Sequence, residues 1–478
     1  DDMYQAVLGS GAHPYRFQRQ LAEEGLPEIL DVPTGCGKTP AVMLGWMFRR
    51  FRHPDPAVRA ATPTRLIWCL PLRTLSAQTA ALAHSAVESL GLTGAMDVHL
   101  LMGGEPVPDQ QWRLQPQRPA IIVSTLDMAL SRALNRGYLA SRYTWPIDFA
   151  LFNDDCHWVY DEVQLMGTAL LTSCQLHGLR AKLGVPSRHS STWMSATVDN
   201  AVLQTVDALE TKTTIELGSE DRLDPELRKR LTAPKRLVRA RVNDKKKFAA
   251  GFASIVHSEH LRGSTTLAVL NSVRNARDVA AAVRKVEGTD GAEVVLLHSR
   301  FRPGDRTDAL KRALSDGSGG SRGRIIVSTQ VIEAGVDLSS ASLVTECAPW
   351  SSLVQRAGRC NRWGEVTDAR MVVVESSGVG PYDADTVERS WAEAGRHEGD
   401  LVTPGSLAAV ALSEPPPPQV VLRRKDLLEL FDTTPDLSGN DIDVSRFIRA
   451  DGDLDLAIAW RPVDPGAIDQ VAPPMARD

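Results

Sequence analysis

The feature that most constrains the fold of this chain is a series of short, almost uninterrupted apolar segments. In the first half they are EILDV (28–32), RLIWCLP (65–71), AIIVST (120–125), WVYDE (158–162) and STWMSAT (191–197). Strands buried on both faces of a parallel sheet have this near-continuous apolar character. Helical stretches such as TPAVMLGWMFRRF and LSAQTAALAHSAVESLG separate them, and this alternation predicts βαβ units.

The same alternation returns after residue 262. The second series is STTLAVLNS (264–272), AEVVLLHS (292–299), RIIVSTQ (324–330), ASLVTECAP (341–349) and ARMVVVES (369–376). The sequence therefore predicts an α/β protein with two parallel-sheet lobes in tandem. We place the first lobe at residues 1–218, the second at 219–378, and a linker with a small accessory segment at 379–478.

Composition limits the class of protein further. A chain of 478 residues is too long for one hydrophobic core. The net charge of −5 excludes a protein that is basic over its whole surface, so nucleic-acid binding would need local positive charge. The six cysteines form no C-x-x-C pair, which predicts buried thiols in a reducing, cytoplasmic environment. No apolar run reaches the length of about 20 residues that spans a membrane.

A phosphate-binding loop follows the first predicted strand. Its residues are Pro33, Thr34, Gly35, Cys36, Gly37, Lys38 and Thr39. The two glycines allow a turn in which several backbone N–H groups face one point, at the start of a helix. We expect Lys38 to reach the β- and γ-phosphates of ATP and the Thr39 hydroxyl to hold Mg²⁺.

An adjacent acid pair, Asp161 and Glu162, ends the fourth predicted strand. Phosphoryl transfer needs one carboxylate for the metal and one group that activates water. We assign Asp161 to Mg²⁺ and Glu162 to the water. A D-E dipeptide alone is weak evidence for a catalytic site, because two solvated surface acids are the ordinary alternative. The position of this pair between the phosphate-binding loop and Ser195 favours catalysis.

The second lobe carries QRAGRCNR (355–362), in which Arg359 and Arg362 are predicted to share one helix face. Two guanidinium groups aimed across a cleft stabilise charge on a γ-phosphate, and we add Gln355 to the catalytic set. The preceding STQVIEAGVDL places Gly335 and Asp337 where they contact a ribose or the arginine pair. Gln18 is a candidate for pairing with adenine, with a solvent-facing helix residue as the alternative.

These motifs, in this order, resemble those of superfamily 2 helicases of the DExH type, over about residues 15–376. That resemblance implies two RecA-like lobes, with ATP and Mg²⁺ as cofactors. It also implies that Gln164, Ser195 and Thr197 couple hydrolysis to lobe movement. The strand-tracking residues that it implies are Arg73, Thr74, Gly104, Thr125, Asn271, His298 and Thr329.

Within that superfamily, CNRWGE (360–365) and HSRF (298–301) resemble the helicase-nuclease of type I CRISPR interference. Residues 130–167 and 430–449 are similar to its subtype G (formerly U) branch. The resemblance implies a motor that moves 3′ to 5′ on single-stranded DNA. An RNA-guided surveillance complex that has already opened the target duplex would recruit it.

The sequence differs from that family in the nuclease part. None of the 11 histidines is followed by aspartate, the pair that an HD nuclease uses to hold its metals. We expect the HD domain to lie on another chain or to be removed by truncation, since the sequence begins at Asp1. Two rival functions stay open: an RNA helicase or remodeller, and a nucleotide-gated scaffold without turnover.

Overall fold

The computed structural model describes residues 1–103, 111–195, 200–209, 212–286, 291–315, 322–333, 336–378, 380–410, 412, 420–432 and 442–449. Within these residues two sheets follow one another along the chain, each with helices packed against it. This confirms the predicted fold class.

Seven described strands form the first sheet. They are β1 (Ile29–Asp31), β2 (Arg65–Leu70), β3 (Asp97–Leu101), β4 (Ala120–Thr125), β5 (Cys156–Tyr160), β6 (His189–Ser195) and β7 (Thr214–Glu216). Their order is β3-β4-β2-β5-β6-β1-β7, and all neighbours are parallel. All carboxyl ends therefore meet at one edge of the sheet.

Helices cover both faces of this sheet. They are α1 (Asp2–Leu8), α2 (Arg16–Glu23), α3 (Lys38–Met47), α4 (Pro56–Ala61), α5 (Arg73–Ser89), α6 (Gln111–Leu114), α7 (Leu126–Ala133), α8 (Trp145–Asn153) and α9 (Thr168–Leu183). Two short helices, α10 (Ser219–Leu223) and α11 (Pro225–Leu231), lead to the second sheet. The central strands β2 and β5 are buried along their whole length, as their apolar sequences require.

The second sheet repeats the architecture of the first. Its described strands are β8 (Lys235–Ala240), β9 (Thr265–Val269), β10 (Glu293–Leu297), β11 (Arg324–Ser328), β12 (Ser342–Glu346), β13 (Arg370–Val374) and β14 (Leu401–Val402). The order is β10-β11-β9-β12-β13-β8-β14, with only β14 antiparallel among these strands. Its helices are α12 (Phe248–Glu259), α13 (Val273–Val283), α14 (Pro303–Leu314), α15 (Trp350–Ala357), α16 (Ala384–Arg396) and α17 (Pro404–Ala408).

The C-terminal part of the described chain returns to the first lobe. Helix α18 (Arg424–Phe431) and residues 442–449 follow the second sheet in sequence. Their apolar side chains nevertheless belong to the core beneath β5 and α9; those fully buried there are Leu422, Leu430, Val444, Phe447 and Ile448. In the described part of the chain, no helix combines the length and the apolar character needed to cross a lipid bilayer.

Candidate active site between the two lobes

The phosphate-binding loop lies between β1 and α3. Gly35 and Gly37 have φ angles of 88° and 79°, a left-handed conformation that residues with a Cβ adopt at a cost. Gly37 is also tightly enclosed, because a Cβ at that position would lie 2.8 Å from Gln18 Nε2. Helix α3 begins at Lys38, so its N-terminal N–H groups face the loop.

Two polar side chains hold this loop in place. Lys38 is buried, and its Nζ donates to Val32 O over 2.7 Å. Gln18 Nε2 donates to Gly37 O (3.1 Å), while Gln18 Oε1 accepts from the N–H of Tyr15 (2.9 Å). Gln18 lines the cleft, which is compatible with the predicted contact to adenine. Both of its side-chain polar atoms, however, already form hydrogen bonds that connect α2 to the phosphate-binding loop.

The acid pair lies immediately beyond β5, on the same side of the sheet. Asp161 Oδ2 accepts from Trp68 Nε1 (3.3 Å), and its Oδ1 accepts from the N–H of Glu162 (2.9 Å). Burial and the neighbouring Glu162 raise the pKa of Asp161, which the charge of Lys38 partly offsets. Two buried carboxylates side by side favour a bound cation.

Gln164 connects the acid pair to the end of β6. Its Nε2 donates to Glu162 Oε2 over 2.6 Å, and its Oε1 accepts from Ser195 Oγ over 2.9 Å. Glu162 itself has a left-handed backbone, with φ 52° and ψ 51°. A non-glycine residue in this region costs about 1–3 kcal/mol, so surrounding contacts must hold it there. Gln164, which is itself bonded to Ser195, supplies one such contact.

The arginines of the second lobe lie on a turn, so their predicted placement on a helix face is wrong. Helix α15 ends at Ala357, and both Arg359 and Arg362 follow that end. Gly358 caps the helix, and Asn361 has a left-handed φ of 48°, which turns the chain away from the helix axis. We call residues 358–364 the arginine turn.

Both arginines retain free donors that face the cleft. Arg359 donates from Nε to Ile332 O (3.1 Å) and from Nη2 to Glu333 O (2.9 Å). Arg362 Nε lies 2.9 Å from Asp337 Oδ1. The Nη1 atoms of both are buried without a partner among the described residues. Burial, together with Arg362, lowers the pKa of Arg359 to about 9.

Gln355 lies on α15, ahead of the arginine turn. It is buried, and its Oε1 has no hydrogen-bond partner in the described part of the chain.

These groups enclose one cleft between the lobes, with a volume of about 680 Å³. The residues from the first lobe include Gln18, Thr34, Gly35, Gly37, Lys38, Thr39, Asp161 and Glu162, and those beyond it include Arg230, Asp337, Arg359 and Arg362. The unpaired guanidinium donors fit an anionic ligand, and the volume suits a nucleoside triphosphate. Thr39 and Asp161 line the same cleft, so a hydroxyl and a carboxylate are available to hold Mg²⁺ beside the phosphates.

The predicted nucleic-acid contacts lie at the carboxyl ends of strands in both sheets, away from the cleft residues. Arg73 and Thr74 follow β2, and Thr125 ends β4. In the second lobe Asn271, His298 and Thr329 come directly after β9, β10 and β11. In the first sheet the cleft residues follow β1 and β5, whereas the predicted strand contacts follow β2 and β4. In the second sheet the two groups lie at opposite ends of the strands, because the arginine turn pairs with Ser340 ahead of β12.

Positive charge gathers around His298. Burial and the nearby Arg277, Arg300 and Arg306 lower the pKa of His298, and its ring stacks on Phe301 at 4.1 Å between centroids. Burial and the charge of Arg73, which belongs to the first lobe, lower the pKa of Arg306. A cationic surface therefore continues from one lobe to the other.

Asn271 is less available than its predicted role requires. It is buried, its Nδ2 donates to Cys347 O (2.7 Å), and its Oδ1 accepts from Arg356 (3.1 Å). Three predicted residues, Gly104, Thr197 and Gly335, lie outside the described residues. Arg230 is one of the cleft residues that the sequence motifs do not predict. It lies in a charged helix without a motif, and no local signal distinguishes it.

Comparison with known proteins agrees with this geometry. Residues 15–206 match the DEAD/DEAH box helicase family, and residues 262–365 match the C-terminal part of the CRISPR-associated nuclease/helicase Cas3. The chain carries a DEAD/DEAH helicase domain followed by a Cas3-like C-terminal domain. The first match lies in the first lobe and the second match in the second lobe.

The chain is similar to proteins named for CRISPR systems and for RNA. It is 28% identical over 400 residues to a putative CRISPR-associated nuclease/helicase Cas3 of Myxococcus xanthus, covering 80% of this chain and 49% of the relative. It is 26% identical over 358 residues to the probable ATP-dependent RNA helicase DDX59 of Mus musculus, covering 74% of this chain and 51% of the relative. The chain thus spans about half the length of these relatives.

Solved structures share the fold. The crystal structure of T. fusca Cas3 with ATP superposes with a TM-score of 0.62 at 19% identity, over 85% of this chain and 52% of that one. The Mycobacterium smegmatis helicase Lhr bound to single-stranded DNA and AMP-PNP superposes with a TM-score of 0.53 at 18% identity, over 84% and 50%. At these identities the likeness establishes the tandem RecA-like fold.

Proposed function

We propose that this chain is an ATP-driven translocase and helicase that moves 3′ to 5′ on single-stranded DNA. It unwinds target DNA in type I CRISPR interference, after an RNA-guided complex has recruited it. The observation that carries the proposal is the cleft itself, in which the phosphate-binding loop and the acid pair of the first lobe face the arginine turn of the second, apart from the cationic residues around His298.

Each group of cleft residues has its own role in ATP hydrolysis. Lys38 exchanges its bond to Val32 O for the phosphates, and Glu162 accepts a proton from the attacking water. Mg²⁺ held by Thr39 and Asp161 would neutralise phosphate charge. The free Nη1 donors of Arg359 and Arg362 stabilise the charge that develops on the γ-phosphate.

The cationic surface holds the strand by its backbone. Arg73 from the first lobe and Arg306 from the second lie close enough for their charges to interact, so a polyanion binds both lobes together. Such binding is largely independent of sequence and weakens with salt. Opening and closing of the cleft then moves one lobe along the strand relative to the other.

Three further assignments belong to the same proposal. The first lobe extends over residues 1–218, the second over 219–378, and residues 379–478 form an accessory segment. The chain works in the cytoplasm, where its six buried free thiols remain reduced. It belongs to the subtype G branch, and its HD nuclease lies on another chain or is removed by truncation.

The decisive experiment measures ATP hydrolysis with single-stranded DNA and with RNA of the same sequence. We expect DNA to give the larger stimulation, and Glu162→Gln to lower kcat by about 10²–10⁴-fold, the contribution of a general base. Duplexes with 3′ or 5′ overhangs then report direction. Preferential stimulation by RNA would establish the RNA helicase instead, and a wild-type chain that binds ATP without turnover would establish the scaffold. Metal-dependent DNA degradation would overturn the assignment of the nuclease to another chain.

A further inference from the structure

Helix α11 is the part of the chain that joins the two lobes beside the nucleotide cleft. It begins behind Asp224, whose Oδ1 accepts from the N–H groups of Glu226 and Leu227 (3.0 and 3.1 Å). Leu227 is fully buried in the core of the first lobe. The helix ends at Leu231, and the second sheet starts at Lys235. Its last turn is therefore fixed to the first lobe and leads directly into the second.

Arg230, in that last turn, contacts the phosphate-binding loop. Its Nη1 donates to Gly35 O over 3.0 Å, although the two residues are 195 positions apart. The guanidinium of Arg362 approaches the same glycine from the arginine turn, 3.3 Å from where a Cβ would stand. Gly35 is thus held between an arginine of the linker and an arginine of the second lobe.

The linker helix also contacts the arginine turn directly. Gly364 lies so close to α11 that a Cβ there would stand 2.8 Å from Lys229 O. Asn361 Nδ2 donates to Pro234 O, which precedes β8, over 2.9 Å. The arginine turn, α11 and Gly35 thus form one continuous series of contacts, in which Arg230 joins α11 to the phosphate-binding loop.

We propose that Arg230 is a positioning residue for nucleotide binding, which holds the phosphate-binding loop through Gly35 O and connects its conformation to the arginine turn. The inference rests on the proposed function, because it assumes that the cleft binds ATP. Arg230 acts through the loop, so it contributes equally to ADP and ATP. A direct ligand of the γ-phosphate would contribute to ATP alone.

The test measures binding of ADP and of a non-hydrolysable ATP analogue to the full chain, with Arg230→Ala, Arg230→Lys and the control Arg228→Ala. Arg228 is exposed on the same helix. Loss of a hydrogen bond from a charged donor predicts about tenfold weaker binding of both nucleotides by Arg230→Ala. We expect Arg230→Lys to recover part of that loss and Arg228→Ala to match the wild type.

Thermal unfolding of each variant in the absence of nucleotide shows whether the fold is intact. Weakening of the ATP analogue alone, or equal binding by Arg230→Ala and the wild type, would overturn the inference. Failure of the wild-type chain to bind either nucleotide would instead contradict the proposed function.

Discussion

At the scale of single residues, Gln164 joins two parts of the site that must act together. Its amide donates to Glu162 and accepts from Ser195, so displacement of β6 changes the position of the catalytic carboxylate. We predict that Gln164→Ala keeps nucleotide binding and basal hydrolysis but lowers strand-stimulated unwinding by about tenfold, the effect of losing a hydrogen bond to a charged group. Unwinding and ATPase assays on one preparation measure both quantities.

Gln164→His is the matched control, because imidazole also has a donor and an acceptor. Histidine titrates near neutrality, so unwinding by Gln164→His should vary with pH between about 5 and 8. The glutamine of the wild type does not titrate and therefore adds no such pH dependence. Full unwinding by Gln164→Ala would show that the amide bridge has no coupling role.

Site residues that follow a strand in the local sequence were easier to place than contacts between segments that are distant in sequence. The phosphate-binding loop and acid pair follow predicted strands, and the structure brings both to one cleft. The arginine turn was misplaced because a three-residue spacing suggests a helix face, whereas Gly358 and the left-handed Asn361 end the helix first. The contact between Arg230 and Gly35 depends on how two distant segments pack, which the local sequence does not specify.

At the scale of secondary structure, burial explains the predicted strands and also one strand, β8, that the sequence did not predict. The ten apolar segments all contain strands, but β3, β7, β8 and β14 were not predicted. Charged residues interrupt β8 (KRLVRA), which hides it among the surface segments. Its Lys235 is buried, where its Nζ donates to Ala357 O at the end of α15 over 3.0 Å. A lysine that satisfies the carbonyls at a helix end is compatible with a buried strand, and only the tertiary structure shows that partner.

Two helix glycines give opposite predictions for the same substitution. In α3, a Cβ on Gly45 would meet Leu21 Cβ at 3.5 Å, an ordinary contact, whereas in α9 a Cβ on Gly178 would lie 2.2 Å from Asp207 O. Gly45→Ala should therefore stabilise by up to about 1 kcal/mol through helix propensity. Gly178→Ala should destabilise by about 1–3 kcal/mol through overpacking. Urea unfolding of both variants measures the difference, and the same sign of change for both would contradict it.

At the scale of the whole molecule, the chain crosses from the second lobe back to the first. Arg136 donates to Leu430 O (2.7 Å) and Glu429 O (3.0 Å), which satisfies carbonyls at the end of α18. Arg449 forms a bidentate pair with Asp127, at 2.6 Å for each bond. The segment is therefore part of the first lobe in energetic terms, although it comes last in sequence.

Phe447 tests this assignment. It is 1% exposed in the first lobe's core, so Phe447→Ala should cost about 3–5 kcal/mol. Because the lost contacts lie beneath α9, hydrogen exchange should accelerate in α9 and β5 and stay unchanged in β9 and β12 of the second lobe.

Phe431 is the matched control: it is 48% exposed and keeps one edge-to-face contact with Phe149, so its alanine variant should cost about 1 kcal/mol. Equal acceleration in both sheets would mean that the lobes unfold as one unit, and that residues 442–449 stabilise the whole molecule rather than the first lobe.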